Sequence, residues 1–301
     1  MDRLDAMSLL LTVVDAGSLS AASRRLGMPL ATVSRRIADL EGHLKTRLLN
    51  RTSRTIALTE SGQSYVEACK RILEQVDEAE RTAAGEYSVP KGDLTLTAPV
   101  VFGRLHVLPV AIAFLEAYPD IDLRLVLADR LINLAEDHVD LAVRIAALPD
   151  SGLIATRVGS IRRVVCGSPA YLARRGRPDR PDDLRDHDCV TYGGLTASHA
   201  WRFTNGKDET IVPVHSRLTV NTAEAAIDAA VAGLGLTRVL SYQVADAQRS
   251  GALERVLQAF EPVPWPVSLV YVGQGLLPLK LRAFLDFAIP RLKARLAQQA
   301  D

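Results

Sequence analysis

The chain has 301 residues, 48% hydrophobic and 24% charged, with a net charge of +1; this is an ordinary soluble globular composition with core enough for two or more domains. Its three cysteines, Cys69, Cys166 and Cys189, form no CxxC, which sets aside a disulfide framework and a zinc site and fits a reducing cytoplasm. No apolar segment follows a basic start and no long uncharged apolar run is available to span a bilayer, so an intracellular protein with no membrane partner is expected. The near-neutral total hides an asymmetry. Up to Gly62 there are nine basic and six acidic residues, so the positive field sits on the N-terminal module.

Leu4 to Ala16 reads as a supporting helix with Leu10, Leu11, Val13 and Val14 on its apolar side, ending at Gly17. Ser18 stands at an N-cap position, Leu19 to Leu26 forms a short second helix, and Gly27 breaks it. Pro29 suits the first turn of a third helix, where its missing N–H costs nothing. In that helix Val33, Ile37, Leu40 and Leu44 recur at helical spacing and face a core. The opposite face carries Leu30, Ala31, Ser34 and Arg35, with Thr32 and Arg36 at its edges. Short side chains ahead of cations are what a helix laid in a major groove requires, to approach base edges and to reach guanine or phosphate. Leu49 to Arg51 and Thr55 to Leu58 read as two strands around Thr52-Ser53-Arg54, placing Arg51 and Arg54 on a basic wing. The helix pattern alone fits an ordinary αα-hairpin with a solvated basic face equally well; the wing and the sign of the charge favour duplex DNA.

The stretch resembles the winged helix-turn-helix of LysR-type transcriptional regulators. The matching elements are Ala21 to Leu26, Val33 to Ile37, Leu40-Glu41, Leu48 to Arg51 and Leu58 to Gly62. Two departures stand out. Pro29-Leu30-Ala31-Thr32 replaces the family's Ser-Gln-Ser/Pro-Ala opening, and Lys45 stands where a glycine usually precedes the wing. The first removes a capping hydroxyl at a cost of about 1 kcal/mol, offset in part by the fixed φ of proline. It also exchanges an amide that reads adenine for a leucine that can meet only a thymine methyl. The resemblance implies a sequence-specific regulator that works as a homodimer or homotetramer, senses a small-molecule effector, and acts on DNA bending or RNA polymerase. No cofactor is implied.

Thr59 is a plausible N-cap for a long helix running to about Gly85. Gly62, Tyr65, Cys69, Ile72, Val76, Ala79 and Ala83 along it alternate in steps of three and four, a heptad seam. At ~1.5 Å per residue it reaches roughly 40 Å, natural for a dimer strut; packing on the chain's own domains is the plainer alternative. Tyr87 to Gly92 reads as a hinge. The division expected is a DNA-binding domain over 1–58, a linker and dimerisation helix over 59–88, and a regulatory domain over 89–301.

After the hinge the period changes to α/β. Strands are expected at Leu94 to Ala98, Ile121 to Leu127, Asp140 to Arg144, Arg163 to Cys166, Cys189 to Tyr192, Ala200 to Phe203, Ile211 to Val214, Leu218 to Asn221, Gly235 to Val239 and Val267 to Tyr271. Helices are expected at Phe102 to Tyr118, Asn133 to Glu136, Thr222 to Ala232 and Leu279 to Leu296. Two lobes, about 92–160 with 271–296 and about 161–270, are similar to the periplasmic-binding-protein-like half of the LysR family, with a cleft between them.

Ligands of α/β sheets sit at strand carboxyl ends, where helix N-termini attract anions. This selects Pro99, Val100 and Val101, then Arg144 and Ile145, Tyr192 and Gly193, Asn221 and Thr222, and Arg238. Two free helix N-termini with an arginine suggest a small organic anion, aromatic if Tyr192 takes part. Enzyme signatures are poor: the six histidines are scattered without HExxH, Ser168 sits in CGSP, and Gly233-Leu234-Gly235 lacks a third glycine. A purely architectural DNA binder, and an enzyme carrying a DNA-binding module, remain the rival readings.

Overall fold

A computed structural model of the chain describes residues 2–51, 56–83, 89–148, 152–193, 200–205, 208–273 and 277–298. They fall into two compact units, Met1–Val89 and Pro90–Asp301.

The first unit begins with α1 (Arg3–Asp15), α2 (Leu19–Leu26) and α3 (Leu30–Leu44). Ser18 caps α2, its hydroxyl accepting from the Ala21 N–H at 3.1 Å, and Gly27 closes it at φ 62°. Pro29 lies one position earlier than expected, at the N-cap of α3, and no side chain caps that helix. Val33, Ile37 and Leu40 are buried with Leu9, Leu10, Val13 and Ala22, so one face of α3 is spent on the core. The wing is a two-stranded antiparallel ribbon, β1 (Leu49–Arg51) against β2 (Ile56–Leu58), in the register Leu49 to Leu58. Arg54 lies outside the described residues, and of Arg51 only the backbone is described.

The long helix α4 spans Glu60–Ala83. Thr59 caps it, accepting from the Gly62 N–H at 2.9 Å. Gly62, Val66 and Cys69 are buried against the head, and Ile72, further along the same row, is 38% exposed. The seam therefore begins as core and emerges into solvent. The stretch from Ala84 to Ser88, with the expected helix end and the start of the hinge, lies outside the described residues.

The second unit contains two five-stranded sheets. In the first, β3 (Gly92–Ala98), β4 (Ile121–Leu127) and β5 (Leu141–Ile145) run parallel, while β14 (Trp265–Val272) lies antiparallel between β5 and β6 (Leu153–Ile161). In the second, the order is β11 (His215–Val220), β8 (Asp188–Tyr192), β12 (Leu236–Leu240), β7 (Arg163–Gly167) and β13 (Glu254–Val256), with β7 antiparallel to both its neighbours. A hairpin of β9 (Ala200–Asn205) and β10 (Asp208–Pro213) stands apart as a two-stranded sheet. Among the described residues the unit's longer helices are α5 (Val100–Ala117), α6 (Pro169–Arg175), α7 (Ala223–Val231), α8 (Ser241–Arg249) and α9 (Leu279–Ala297), with 3₁₀ turns at Pro181–Asp186 and Gln258–Phe260.

Several expectations are corrected here. The chain returns to the first lobe at Trp265, not Tyr271, because the whole of β14 pairs with β6 from Trp265–Ile161 to Val272–Leu153. The helix expected at Asn133 to Glu136 is a turn: the Asn133 side chain accepts from the Ala135 N–H at 3.1 Å, and Asp137 accepts from the Asn133 N–H at 3.0 Å. Such local side-chain bonds compete with helical ones. Helix α5 starts two residues early, at Val100, and runs through a π-helical stretch, Gly103–Val107. With mean hydropathy 1.7 over 18 residues, α5 is long and apolar enough to cross a bilayer by composition, although Arg104 and Glu116 keep it from being an uncharged run. Its buried side, with Val101, Phe102, Val107, Val110 and Phe114, packs into the core of the first lobe.

Candidate nucleic-acid interface and ligand cleft

Burial of Val33, Ile37 and Leu40 turns the other face of α3 outward. Leu30 is 46% exposed, Ala31 and Arg35 are exposed, and Thr32, Ser34 and Arg36 are half-buried at the edges. Small side chains thus come first along the outward face, with a guanidinium one turn behind. The wing is tied to α3 by a residue whose position in the sequence pattern gave no hint of this task. The Glu41 carboxylate accepts from the N–H groups of Leu48 at 2.8 Å and Leu49 at 3.1 Å, fixing where β1 starts relative to the helix. Between them Lys45 holds the left-handed conformation, φ 53° and ψ 30°. This is the turn where a glycine is usual in the family that the segment resembles.

The cleft, about 610 Å³, opens at strand carboxyl ends of both sheets of the second unit. Pro99, Val101, Arg144, Ile145, Tyr192, Gly193 and Asn221 line it. Val100 and Thr222 sit beside the lining without joining it, and Arg238 is turned away. Its guanidinium donates to the Arg202 carbonyl at 2.8 Å and lies over the rings of Trp201 and Phe203. It braces the β9–β10 hairpin, and burial lowers its pKa to about 9.

Neither helix N-terminus is free. The Val100 N–H donates to the Asp129 carboxylate at 3.0 Å, and Thr222 caps α7 by accepting from the Ala225 N–H at 3.3 Å. Both ends therefore already hold an oxygen acceptor, and Glu224 adds a charge in the first turn of α7. The cations of the cleft are side chains instead. Arg144 donates one N–H to the Ile132 carbonyl at 3.0 Å. Arg163 lies 4.2 Å from the centre of the Trp265 ring, and burial lowers its pKa. Arg163 and Trp265 escaped the sequence reading because β7 begins and β14 begins there, at strand amino ends, where the carboxyl-end rule does not look. Among the described residues Arg163 makes no ion pair. A half-buried cation beside an aromatic wall asks for an anionic partner.

Comparison with known proteins gives this geometry its setting. A model described as the bacterial regulatory helix-turn-helix protein, lysR family, matches residues 4–63, and the LysR substrate binding domain matches residues 88–293. A HTH-type transcriptional repressor of Pseudomonas aeruginosa (strain UCBPP-PA14) is 36% identical over 96% of this chain and 92% of its own length. CrgA, a LysR-type transcriptional regulator from Neisseria meningitidis, is 31% identical and superimposes with a TM-score of 0.61 over 96% of this chain and 98% of that one. The Vibrio cholerae virulence activator AphB is 28% identical, with a TM-score of 0.59 over 96% and 99% of the two chains. The winged head, the two-sheet half and these matches over nearly the full length place the chain in the LysR family of transcriptional regulators, DNA-binding proteins with an effector-binding C-terminal domain.

Proposed function

We propose that Leu30, Ala31, Ser34 and Arg35 read base edges in a major groove while Ser18, Thr32, Arg36, Arg51 and Arg54 hold the backbone. The observation that carries this reading is the outward row of α3, small side chains followed by Arg35, on a helix whose other face is core. The uncapped start of α3 adds to it, since first-turn N–H groups attract phosphate. Two heads work as a homodimer through the part of α4 where the apolar row emerges at Ile72, and pairs of dimers form tetramers. Half-sites then fall about one helical turn, or a multiple, apart. The working division is a head to Leu58, a pairing helix from Thr59 to about Ser88, and a regulatory domain beyond, its lobes meeting at Arg162 and again before Trp265.

The ligand of the cleft is a small organic anion whose charge meets Arg163 and Arg144 and whose body lies against Trp265 and Tyr192. A ligand that binds a closed cleft more tightly than an open one shifts the balance between lobe arrangements, and this reaches promoter DNA bending or RNA polymerase through α4. The chain acts as a regulator in the cytoplasm and not as an enzyme, in keeping with relatives that are regulators. Binding-site selection followed by titration tests the head. Arg35→Ala should lose about 1–3 kcal/mol and relax one base position, while Arg36→Ala should weaken all sequences alike and flatten the salt slope by about one unit. Identical behaviour of the two variants would overturn this division of contacts.

A further inference from the structure

A groove of about 770 Å³ runs across the head between the end of α3 and the start of the wing. One wall is α3 itself, with Ala38 and Gly42, and Lys45 closes it at the helix end. The other wall is Arg47 in the turn and Asn50 on β1. The outward row of α3 leads straight into it: Arg35, Ala38, Gly42 and Lys45 follow one another in steps of three and four, and all are exposed.

The charges of the groove are set for an anion. Lys45, Arg47 and Asn50 are exposed, and among the described residues none of these side chains has a hydrogen bond or an ion pair. The carboxylate that lines the groove, Glu41, already accepts from the N–H groups of Leu48 and Leu49. Gly42 is the position that the fold leaves unexplained. It lies inside α3, where glycine is less favourable than any residue but proline. A Cβ there would meet nothing within 4 Å, so packing of the head makes no demand for glycine. A bare backbone on an exposed helix face serves an approach from outside.

We propose that the sugar-phosphate strand bounding the major groove crosses α3 at Gly42, its phosphates held by Lys45, Arg47 and the Asn50 amide. This rests on the reading of Leu30 to Arg35 as the base-facing turns of the helix. Seven residues separate Arg35 from Gly42, about 10 Å along the axis, against a major groove about 12 Å wide. With Arg35 over base edges, Gly42 thus arrives at the backbone beside them. The wing stands across the same gap, so a strand passing between α3 and the wing takes this groove as its path. Contacts of this kind fix register and carry no sequence preference of their own.

The test uses the full-length protein, a duplex recovered by binding-site selection, and a scrambled duplex of equal length. Gly42→Leu lays a side chain over the groove and improves helix propensity, so the head should melt no lower. Its affinity for both duplexes should fall roughly tenfold, while repeated selection returns the same base preferences. Gly42→Ala should melt higher and bind less weakly than Gly42→Leu. Arg47→Gln should flatten the slope of log affinity against log salt by about one unit; on an exposed side chain, it keeps the test open should the bulky variant unfold. His43→Leu, the same bulk at an exposed neighbour that does not line the groove, should change nothing. Undiminished binding by Gly42→Leu overturns the proposal, as does a shifted base preference in that variant or an unchanged salt slope in Arg47→Gln. Full affinity with a lost promoter response would give the groove to a protein partner, and overturns it too. Arg35→Ala, measured alongside, keeps the two readings apart: retained base preferences there sink the base-edge assignment, whatever Gly42→Leu does.

Discussion

The head and the regulatory half solve the problem of presenting chemistry in opposite ways. In the head one helix does both jobs, burying Val33, Ile37 and Leu40 while turning Leu30, Ala31 and Arg35 outward. In the regulatory half no single element presents the site: the cleft gathers Pro99, Arg144, Arg163, Tyr192, Asn221 and Trp265 from six separate strands and turns. A concentrated site is easily read and easily lost, because whatever displaces α3 displaces every contact. A gathered site tolerates the loss of any one wall, and its walls can move apart. That makes the first suited to fixed recognition and the second to a ligand-dependent change.

The sharpest way to break this contrast is at Gly62. A Cβ there would fall 2.0 Å from the Leu48 carbonyl oxygen. That oxygen accepts from the Thr59 N–H at 3.0 Å, while the Leu48 N–H is held by Glu41, so the backbone has nowhere to retreat. Gly62→Ala should destabilise the head by about 3 kcal/mol and abolish DNA binding. Calorimetry should show the transition of the regulatory unit unchanged. A common shift of both transitions would mean that the two compact units melt as one, and the contrast would fail.

Acid should act on the regulatory half. With a folded pKa near 4 against an ordinary 6.5, His106 binds a proton in the unfolded chain before it does in the folded one. Stability from this group is therefore intact above about pH 6.5 and falls as the pH drops toward 4, by up to about 3 kcal/mol. His187, whose pKa burial also lowers, adds to the same limb. His106→Phe should flatten the loss of melting temperature between pH 7 and 5. An unchanged acid limb in the variant would show that His106 is not the group responsible.

The contrast also explains what the sequence disclosed. The head was legible because caps, breakers and the apolar row of α3 are all local: Ser18, Gly27 and Thr59 each act within a few residues. Its hidden contacts are longer in reach: among the described residues, Glu41 to Leu48 and Leu49 spans seven and eight residues and the Thr59 hydroxyl to the Arg47 carbonyl spans twelve, and neither leaves a periodic trace. In the regulatory half β6 was missed because it is a half-covered edge strand, with only Val158 and Ile161 buried in nine residues. Helix α8 was missed because SYQVADAQR buries only Tyr242 and Val244. The cleft was half legible. Strand carboxyl ends pointed to Pro99, Ile145, Tyr192 and Asn221, but which guanidinium faces the cleft depends on long-range partners. Arg238 is taken by the Arg202 carbonyl, thirty-six residues away, and Arg163 stands over Trp265. The inference of free helix N-termini failed for the same reason, since Asp129 reaches Val100 across twenty-nine residues.

The smallest effect expected is a gain. Lys45 ends α3 in the left-handed region at φ 53°, where a Cβ meets the following carbonyl and costs about 1–2 kcal/mol. Glycine removes that cost and restores part of it by loosening the unfolded chain, so Lys45→Gly should stabilise the head by about 1 kcal/mol, raising its transition by about 4–8 °C. The same change removes an exposed cation between α3 and the wing. Affinity for duplex should then fall at low salt, and the slope of log affinity against log salt should become shallower by about one unit. The two readouts separate the possible reasons for a lysine at a glycine's place. A gain in stability with weaker binding means the strain is kept for the charge. A gain with unchanged binding means that Lys45 touches no phosphate, and a loss of stability would show that its side chain makes contacts on the head worth more than the backbone cost.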